Sequence, residues 1–493
     1  MLPASKWSRP LLVLALLGSG QLRAQPAAEI DPDAREKAAT LCGQGDAKEA
    51  QGDHKGAMRD YTEAIAAAPG DPTAYVDRAI AENNSDNPKA ALADADKAFA
   101  LDQKNEGACV QRGYAHTNLN DFNAALADFN QAIEIRPGDA DPYVGRANVE
   151  NDLYQVDRAA ADAMLGLQLN PNDQDAAVAC GYALLIAKDP KRAAEAFDDV
   201  LKADADDEDA CDGLAECREA ERDYAGAVEQ YNRALKINPA DDEFYGERGM
   251  AEAWLGSAQA LPDCDQGVNL SPTKEDAYAT RAEVKYVLGD YSGATQDAGR
   301  AIALNPDVQA GYFARAEGEA ALGSYDAARA DFDRALALIP GNFDTWQARG
   351  LADLEQGDFG QAAKDLQRAV GLCSRFDYGR LLWAVALRRQ KLDDAPAGLA
   401  DGLKGSSDDW TKALAGYLQG KMTAGDLRAA ARRGQGLART IETSEAGYYI
   451  GVTRLLAGDA AGARSEFKQT VAAGLHGSDE YQLAAAELKR LGN

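Results

Sequence analysis

The chain has 493 residues, which is too long for one ordinary globular core at roughly 100–200 residues per domain. Its formal net charge of −28 repels phosphate backbones and anionic lipid headgroups, so nucleic-acid binding is disfavoured. The composition, 46% hydrophobic and 27% charged, is that of a folded globular protein. Only three histidines occur (His54, His116 and His476), which leaves little material for metal sites or histidine-based catalysis.

Residues 1–24 are predicted to be a cleaved export signal. Two basic residues precede an apolar run from Leu11 to Leu17, and small residues up to Ala24 follow, which is the order of a secretory signal peptide. The run is far shorter than the roughly 20 residues that cross a bilayer. The first cysteine is Cys42, so no cysteine stands where a lipoprotein signal would carry one. We therefore expect a periplasmic or secreted protein with a lead-in over residues 25–37. Cleavage removes three bases and no acids, which takes the net charge from −28 to −31.

From residue 38 to residue 376 the sequence repeats itself with a period of 34 residues. Ten repeats begin at residues 38, 72, 106, 140, 174, 208, 242, 275, 309 and 343. Position 8 of every repeat is Gly or Ala, and position 20 is always Ala once the loop of the repeat beginning at 242, which is one residue shorter, is aligned at Ala260. Two helices approach closely only where the facing side chains are small, so each repeat is predicted to be a tight antiparallel helical hairpin.

Bulky residues surround these small positions. Aromatic side chains recur at positions 4, 17 and 24 and are predicted to fill the core, and proline ends seven repeats because it cannot continue a helix. This pattern resembles the tetratricopeptide repeat. The resemblance implies an all-α fold, an α-solenoid whose helix-turn-helix repeats stack in a right-handed superhelix and whose first helices line a concave groove.

Beyond residue 376 the period is lost, and residues 377–493 are predicted to form a C-terminal helical region. Helices are predicted over residues 377–390, 409–419 and 426–433. One further repeat is predicted at about residues 444–477, because Gly451, Asp459, Ala463 and Phe467 restore the spacing of the repeat. Residues 479–491 are predicted to form a capping helix.

This tail carries the motif Tyr448-Tyr449-x-Gly451, with Trp410 and Tyr417 upstream and His476 downstream. In these motifs it resembles the end of the NlpI-type tetratricopeptide lipoproteins. The resemblance implies a periplasmic adaptor that brings peptidoglycan hydrolases together with proteases. The missing lipid-attachment cysteine departs from that family, so shared anchoring is not expected.

Position 7 is arginine in seven repeats, and each of these repeats has aspartate at position 23. The arginines are Arg78, Arg112, Arg146, Arg248, Arg281, Arg315 and Arg349. The aspartates are Asp94, Asp128, Asp162, Asp263, Asp297, Asp331 and Asp365. An unpaired buried arginine would cost about 3–5 kcal/mol, so the two sets are predicted to form a structural ladder. A row of carboxylate-binding arginines is the disfavoured alternative, because the guanidinium groups already have acids of their own.

The same resemblance implies that positions 2, 5, 9, 12 and 13 face the groove. Repeats two to four carry asparagines there, namely Asn83, Asn84, Asn118, Asn148 and Asn151. Repeats six to nine carry acids there, namely Asp209, Asp212, Glu216, Glu219, Glu283 and Glu317. Asparagines can hydrogen-bond an extended peptide backbone, and acids favour neutral or basic partners. Ordinary solvated helix surface is the alternative for both sets.

Most cysteines fall where the repeat requires small buried residues. They are Cys109, Cys180, Cys211, Cys217 and Cys264. We expect them to act as small hydrophobic side chains, with a disulfide or metal role as the alternative.

No phosphate-binding loop, serine elbow or His-Glu-x-x-His motif occurs, so neither an enzyme nor a cofactor or metal site is predicted. The sequence predicts an exported scaffold or adaptor that binds proteins or extended peptides in its groove, in bacterial envelope or peptidoglycan assembly and turnover. An accessory subunit of a polysaccharide or protein export machine is the alternative. Nucleic acid and a membrane span are not expected, and self-association is left open.

Overall fold

The computed structural model of the protein describes residues 31–85, 87–373, 377–391 and 409–492, with the backbone alone for Asp175. Within these ranges every regular element is an α-helix. The predicted all-α solenoid fold is therefore confirmed. The predicted export signal, the start of the lead-in and the predicted boundary at residue 376 lie outside the described residues.

The described ranges contain 26 helices. The repeats supply α1 (Pro32–Glu49), α2 (His54–Ala67), α3 (Thr73–Asn84), α4 (Pro88–Leu101), α5 (Glu106–Asn118), α6 (Phe122–Ile135), α7 (Asp141–Asp152), α8 (Val156–Leu169), α9 (Gln174–Ile186), α10 (Pro190–Ala203), α11 (Glu208–Ala220), α12 (Tyr224–Ile237), α13 (Asp242–Trp254), α14 (Ala260–Leu270), α15 (Glu275–Val287), α16 (Tyr291–Leu304), α17 (Gln309–Ala321), α18 (Tyr325–Leu338), α19 (Phe343–Gln356) and α20 (Phe359–Leu372). The tail supplies α21 (Asp377–Arg389), α22 (Asp409–Leu418), α23 (Ala424–Ala431), α24 (Gly436–Leu456), α25 (Ala460–Ala472) and α26 (Asp479–Arg490).

The chain divides into two compact units. The N-terminal unit contains the described residues up to 153 together with 158–180, and the C-terminal unit contains 154–157 and the described residues from 181. In both units consecutive helices pack as antiparallel hairpins, as α5 does with α6 and α15 with α16. Within each unit hairpins pack on their neighbours, as α6 does on α7 and α16 on α17.

The turns inside several hairpins share one construction. Position 15 adopts a left-handed backbone, for example Gly52 and Gly289, and an aspartate follows that caps the second helix. The carboxylates of Asp53 and Asp290 accept hydrogen bonds from backbone N–H groups three residues further on, at 3.0 and 2.9 Å. These bonds satisfy donors that a helix start leaves unpaired, so these aspartates fix where their second helices begin.

Small residues bring the two helices of a repeat into contact. Every alanine at position 20 is buried, and the largest exposure among them is 1%. At position 8, a Cβ added to Gly113 would lie 2.7 Å from the ring of Phe129. The equivalent atom on Gly451, in the further repeat of the tail, would lie 2.5 Å from the ring of Phe467. A larger residue at position 8 in these repeats would therefore push the helices apart.

The aromatic residues at position 4 also link successive repeats. Six of them donate a side-chain hydrogen bond to the carbonyl of the proline that ends the preceding repeat. The distance is 3.0 Å for Tyr312 with Pro306 and 2.9 Å for Trp346 with Pro340. Each bond fixes one repeat against its neighbour, so proline contributes both the helix stop and the acceptor.

The tail folds onto the last repeat. Leu381 and Leu382 of α21, Tyr449 of α24 and Leu483 of α26 share one hydrophobic core with Leu366 of α20. Helix α24 has 21 residues and begins eight residues before the predicted start of the further repeat, at residue 444. The extra turns at its N-terminus reach other repeats, as described below.

Candidate protein-binding surfaces

The seven arginines at position 7 donate to the seven aspartates at position 23 of the same repeats. The Nε and Nη2 atoms of Arg349 lie 2.7 and 3.0 Å from the two carboxylate oxygens of Asp365. Asp365 is only 2% exposed. The guanidinium group therefore uses its fork on a carboxylate from its own repeat, and that fork is not open to a partner's carboxylate.

In most repeats the remaining nitrogen, Nη1, reaches position 25 of the preceding repeat. Arg78 donates to Thr62 at 3.0 Å, and Arg281 donates to Asp265 at 2.9 Å. In front of Arg315 that position is Gly299, which has no side chain to accept such a bond. The side chain of Arg315 is 32% exposed, compared with 11% for Arg349. Most ladder arginines therefore also bond to the preceding repeat, whereas Arg315 does not.

The first repeat has glutamine at position 7 and uses another cation. Lys48, at position 11, lies 2.5 Å from the carboxylate of Asp60. His116, also at position 11, lies 3.8 Å from Asp128. A cation at position 7 or at position 11 of the first helix can therefore pair with the aspartate at position 23.

The predicted groove asparagines all belong to the N-terminal unit. Asn84 and Asn118 are exposed, Asn83 and Asn148 are partly buried, and Asn151 is only 5% exposed. The Nδ2 atom of Asn83 donates to both oxygens of Gln111, its backbone carbonyl and its side-chain Oε1, at 3.1 Å each.

Acceptor oxygens remain unused on this face. The Oδ1 atoms of Asn83, Asn151 and Asp152 are buried and have no hydrogen-bond partner among the described residues. Burial raises the pKa of Asp152 to about 7. Asp152 occupies position 13, a predicted groove position, but the sequence pattern singled out asparagines and so missed it. Buried acceptors without donors are unfavourable, so this face is suited to a ligand that brings N–H groups.

The predicted groove acids all belong to the C-terminal unit, and they have very different surroundings. Asp209 is exposed, whereas Asp212 and Glu216 are 1% and 6% exposed. The hydroxyl of Tyr182 donates to Asp212 at 2.6 Å. Glu219, Glu283 and Glu317 are partly buried. Asp212 and Glu216 are thus buried groups, which limits their direct contribution to attracting a charged partner.

These acids also lie close to one another. Carboxylate oxygens of Asp212, Glu216 and Glu247 lie within 4.8 Å of each other, the one such grouping of potential metal ligands in the described part of the chain. Burial, with Glu216 and Asp212 adding to it, raises the pKa of Glu219 to about 8. Glu247 occupies position 6, outside the predicted groove positions, so sequence reasoning missed it. Acids alone do not define a metal site, and the absence of a metal stays a prediction.

Helices α24–α26, residues 436–490, form a segment that we call the C-terminal strap. The strap runs along the hairpin turns of repeats six to ten within the C-terminal unit. Its residues Leu437 and Ile441 pack with Tyr224 of repeat six and Trp254 of repeat seven. The Nε2 atom of Gln482 donates to the hydroxyl of Tyr291 in repeat eight at 2.7 Å.

At the tenth repeat the strap bonds to backbone. The Nη1 atom of Arg490 donates to the carbonyl oxygens of Leu354 and Glu355, at 3.2 and 2.5 Å. These carbonyls end α19, and a cation there also interacts favourably with the helix dipole. The turns of repeats six to ten are therefore an occupied protein-binding surface.

Two left-handed turn residues that are not glycine make long-range contacts. Lys188, in repeat five, lies 3.5 Å from the carboxylate of Asp344 and 5.1 Å from the ring centre of Phe343. Arg222, in repeat six, binds Glu445 of the strap at 2.6 Å. Five of the ten repeats have glycine here, and a side chain in this conformation costs roughly 1–3 kcal/mol. A long cationic side chain at this position was the sequence signal for these contacts.

The remaining residues singled out by the sequence lie in structural surroundings. All seven cysteines are buried and none is in a disulfide within the described ranges, and burial raises the pKa of Cys109 to about 11. His54 lies 2.7 Å from Glu49, and His476 packs against the ring of Tyr481. Among the described residues no helix combines the length and apolar character needed to cross a bilayer.

Comparison with family models identifies tetratricopeptide repeats in the chain. One model of this repeat matches residues 106–139, and a second matches residues 42–106, 178–242 and 280–343. The NlpI-type character of the tail stays a prediction.

Two curated relatives are similar over a short stretch. Hsp70-Hsp90 organizing protein 2 of Arabidopsis thaliana is 30% identical over 77 residues, which is 15% of this chain and 14% of that protein. The Hsp70-Hsp90 organizing protein of Triticum aestivum is 28% identical over 74 residues, 15% of this chain and 13% of that protein. The chain thus spans about a seventh of the length of these relatives.

Solved structures with similar folds include the APC/C hetero-tetramer Cut9-Hcn1, yeast Tom70 and a tetratricopeptide repeat protein from Parabacteroides merdae. Cut9-Hcn1 has a TM-score of 0.45 and 14% identity, covering 93% of this chain and 97% of that one. Tom70 has a TM-score of 0.37 and 16% identity, covering 93% and 96%. The Parabacteroides protein has a TM-score of 0.41 and 18% identity, covering 48% and 93%.

Proposed function

The chain is built from tetratricopeptide repeats, and we propose that it is a protein-interaction scaffold that holds an extended, neutral or basic peptide segment on its N-terminal unit. The binding face is formed by the first helices α3, α5 and α7. The observation that carries this proposal is the set of asparagines on these helices, of which Asn84 and Asn118 are exposed, together with the buried acceptor oxygens without donors on α3 and α7.

The chemistry of the face selects the class of ligand. An extended peptide presents a backbone N–H at every residue, and lysine or arginine side chains add further donors. Asn83, Asn151 and Asp152 each have an oxygen free to accept such a bond. An acidic segment would bring further acceptors and would meet a chain with a net charge of −28, so it should bind more weakly.

The test uses a panel of extended peptides of equal length that carry neutral, basic or acidic side chains. We expect the neutral and basic peptides to bind and the acidic ones not to bind. Replacing Asn148 and Asn151 by alanine should speed dissociation by removing hydrogen bonds to the peptide backbone. Asn123, an exposed residue on the second helix α6, gives the matched control, Asn123→Ala. Equal dissociation rates for both variants would place the site elsewhere.

We further propose that the protein acts outside the cytoplasm, in envelope or peptidoglycan assembly and turnover. The basic, apolar and small-residue order of residues 1–24 supports export, and the motifs of the tail support the envelope role. Sequencing of the N-terminus should find Gln25 first in periplasmic material, and retained Met1 would contradict export. Co-purified hydrolases or proteases would support the envelope role, whereas an outer-membrane exporter would favour an accessory subunit of an export machine.

A further inference from the structure

An ion pair joins the sixth repeat to the C-terminal strap. Glu445 of α24 is 3% exposed and accepts hydrogen bonds from Nη2 and Nη1 of Arg222, at 2.6 and 3.3 Å. Trp410 of α22 donates to the same carboxylate through Nε1. Arg222 holds a left-handed backbone with φ of 63°, a conformation that favours glycine, which five of the ten repeats have at this position. The arginine therefore keeps a contact that its own turn opposes.

A second buried carboxyl lies beside this pair without a cation of its own among the described contacts of the strap. Glu480 of α26 is 2% exposed and accepts a hydrogen bond from the hydroxyl of Tyr378 at 2.6 Å. Its neighbour Asp479 accepts one from Gln347 at 3.2 Å. If all the acids were ionised, three carboxylates, including Glu445, would share one guanidinium group.

Other charged groups nearby are engaged elsewhere. Arg389 of α21 and Arg490 of α26 lie 2.5 and 2.6 Å from Glu487. Glu487 lies about two turns beyond Glu480 on α26. The groups that face Glu480 are Arg222, Glu445, Asp479 and the phenols of Tyr378 and Tyr449. Arg222 is the only permanent cation in this set.

The two halves of helix α24 are held differently. The C-terminal half of α24, with Tyr448 and Tyr449, belongs to the large hydrophobic core around α20 and α21. Residues 436–445 instead hold repeats six and seven through Leu437, Ile441 and the Arg222 pair. We call residues 436–445 the far end of the strap.

We propose that the far end of the strap is a pH-sensitive latch. In mildly acidic conditions Glu480 is protonated and the latch is closed on the turns of repeats six and seven. As Glu480 ionises beside Glu445 and Asp479, repulsion among the carboxylates loosens the contact. This inference is independent of the proposed peptide site, which lies in the N-terminal unit.

The direction of the effect follows from linkage. Burial, followed by the charges of Glu445 and Asp479, raises the pKa of Glu480 well above its ordinary value. Burial likewise raises the pKa of Asp479 to about 6. A carboxyl with a higher pKa in the closed state binds its proton preferentially there, so closure is favoured in acid and is lost as the pH rises. Closure is therefore complete below the ordinary pKa of a glutamate, about 4.3, and weakens progressively as the pH rises above it.

Hydrogen exchange of the full chain tests the latch, with Glu480→Gln as the main variant. Wild type and variant are compared at the same pH, so the intrinsic exchange rates cancel. At pH 8 we expect the far end to exchange about tenfold more slowly in the variant, as for a shift of one pKa unit, and at about pH 4.3 the two should agree. Equal exchange at pH 8, or faster exchange in the variant at both pH values, would overturn the proposal.

Two further variants separate the latch from a general change in stability. Glu487→Gln removes a buried carboxyl on the same helix that already has two arginine partners, so it should give no added protection at pH 8. Arg222→Gly relaxes the left-handed turn while removing the pair, so the far end should exchange rapidly at both pH values while α12 stays protected. A far end that stays protected in Arg222→Gly would contradict the latch.

Discussion

The N-terminal and C-terminal units are made from the same repeat but present different surfaces. In the N-terminal unit the first helices carry Asn83, Asn151 and Asp152, each with an acceptor oxygen that has no partner among the described residues. In the C-terminal unit the turns of repeats six to ten are covered by the chain's own strap. The comparison teaches that the repeat determines the scaffold, whereas a few non-repeating positions determine which surface a partner can reach.

The ion-pair ladder is common to both units and therefore does not cause this difference. Arg78 with Asp94 in the N-terminal unit has nearly the same geometry as Arg281 with Asp297 in the C-terminal unit. The units differ instead at positions 12–17. Asparagine and aspartate side chains there have acceptor oxygens without donors in one unit, and Arg222 and Tyr291 bind the strap in the other.

The largest expected effect comes from removing the most buried ladder arginine. Arg349→Ala should destabilise repeats nine and ten by about 3–5 kcal/mol, because it leaves Asp365 buried without its cation. Hydrogen exchange should show lost protection in α17–α20 before the N-terminal unit is affected, since a repeat array opens locally. The exposed Arg368→Ala is the control. Uniform loss across both units would contradict a local ladder.

A larger side chain at position 20 allows the same change to be tested in both units. Ala125→Leu and Ala227→Leu each place a larger side chain at a site with 0% exposure, so each should cost about 1–3 kcal/mol. Ala227 also packs in the cluster that holds Ile441 of the strap. We therefore expect faster exchange over residues 436–445 in Ala227→Leu alone. Unchanged melting of both variants would mean that the repeat register is wrong.

A smaller loss is expected from Arg315→Ala. This arginine is 32% exposed and lacks the bond to the preceding repeat that Arg349 makes, so the cost should be about 1–2 kcal/mol. Thermal unfolding of Arg315→Ala and Arg349→Ala measures the difference in stability, with the exposed Arg334→Ala as control. Equal losses for Arg315 and Arg349 would show that the inter-repeat bond contributes nothing.

The smallest expected effect is a gain in stability at high pH, from replacing Glu219. Burial raises the pKa of Glu219 to about 8, so this group favours the folded state in acid and loses that contribution as the pH rises. Glu219→Gln should match wild type near pH 5 and be about 1 kcal/mol more stable at pH 8, a value reduced for partial exposure. Denaturant titrations at both pH values measure this, with the exposed Glu229→Gln as control. A difference of the same size at pH 5 would exclude titration as the cause.

The fold could be read from the sequence because its causes are local. A period of 34 residues, with small side chains at positions 8 and 20, defines a hairpin that can bury its faces only against its neighbours. Asp53 and its equivalents mark where their second helices begin. The start of α1 at Pro32, six residues before the first predicted repeat, depends on a local proline and aspartate cap outside the repeating pattern.

The surfaces were only partly predictable because they depend on contacts between distant residues. Arg222 and Glu445 are 223 positions apart, and no periodic pattern connects them. The bond from Asn83 to Gln111 likewise depends on how one repeat stacks on the next. The lysine and arginine at position 15 of repeats five and six were a weak clue, because repeats two, three and four also depart from glycine there.

The most direct test of the central claim is hydrogen exchange of the full chain with and without a saturating basic peptide from the panel. The account predicts added protection in α3, α5 and α7 of the N-terminal unit and no change in α11, α15 and α17 of the C-terminal unit. Protection confined to the first helices of the C-terminal unit, or to the strap, would contradict the claim that the N-terminal unit carries the open binding face.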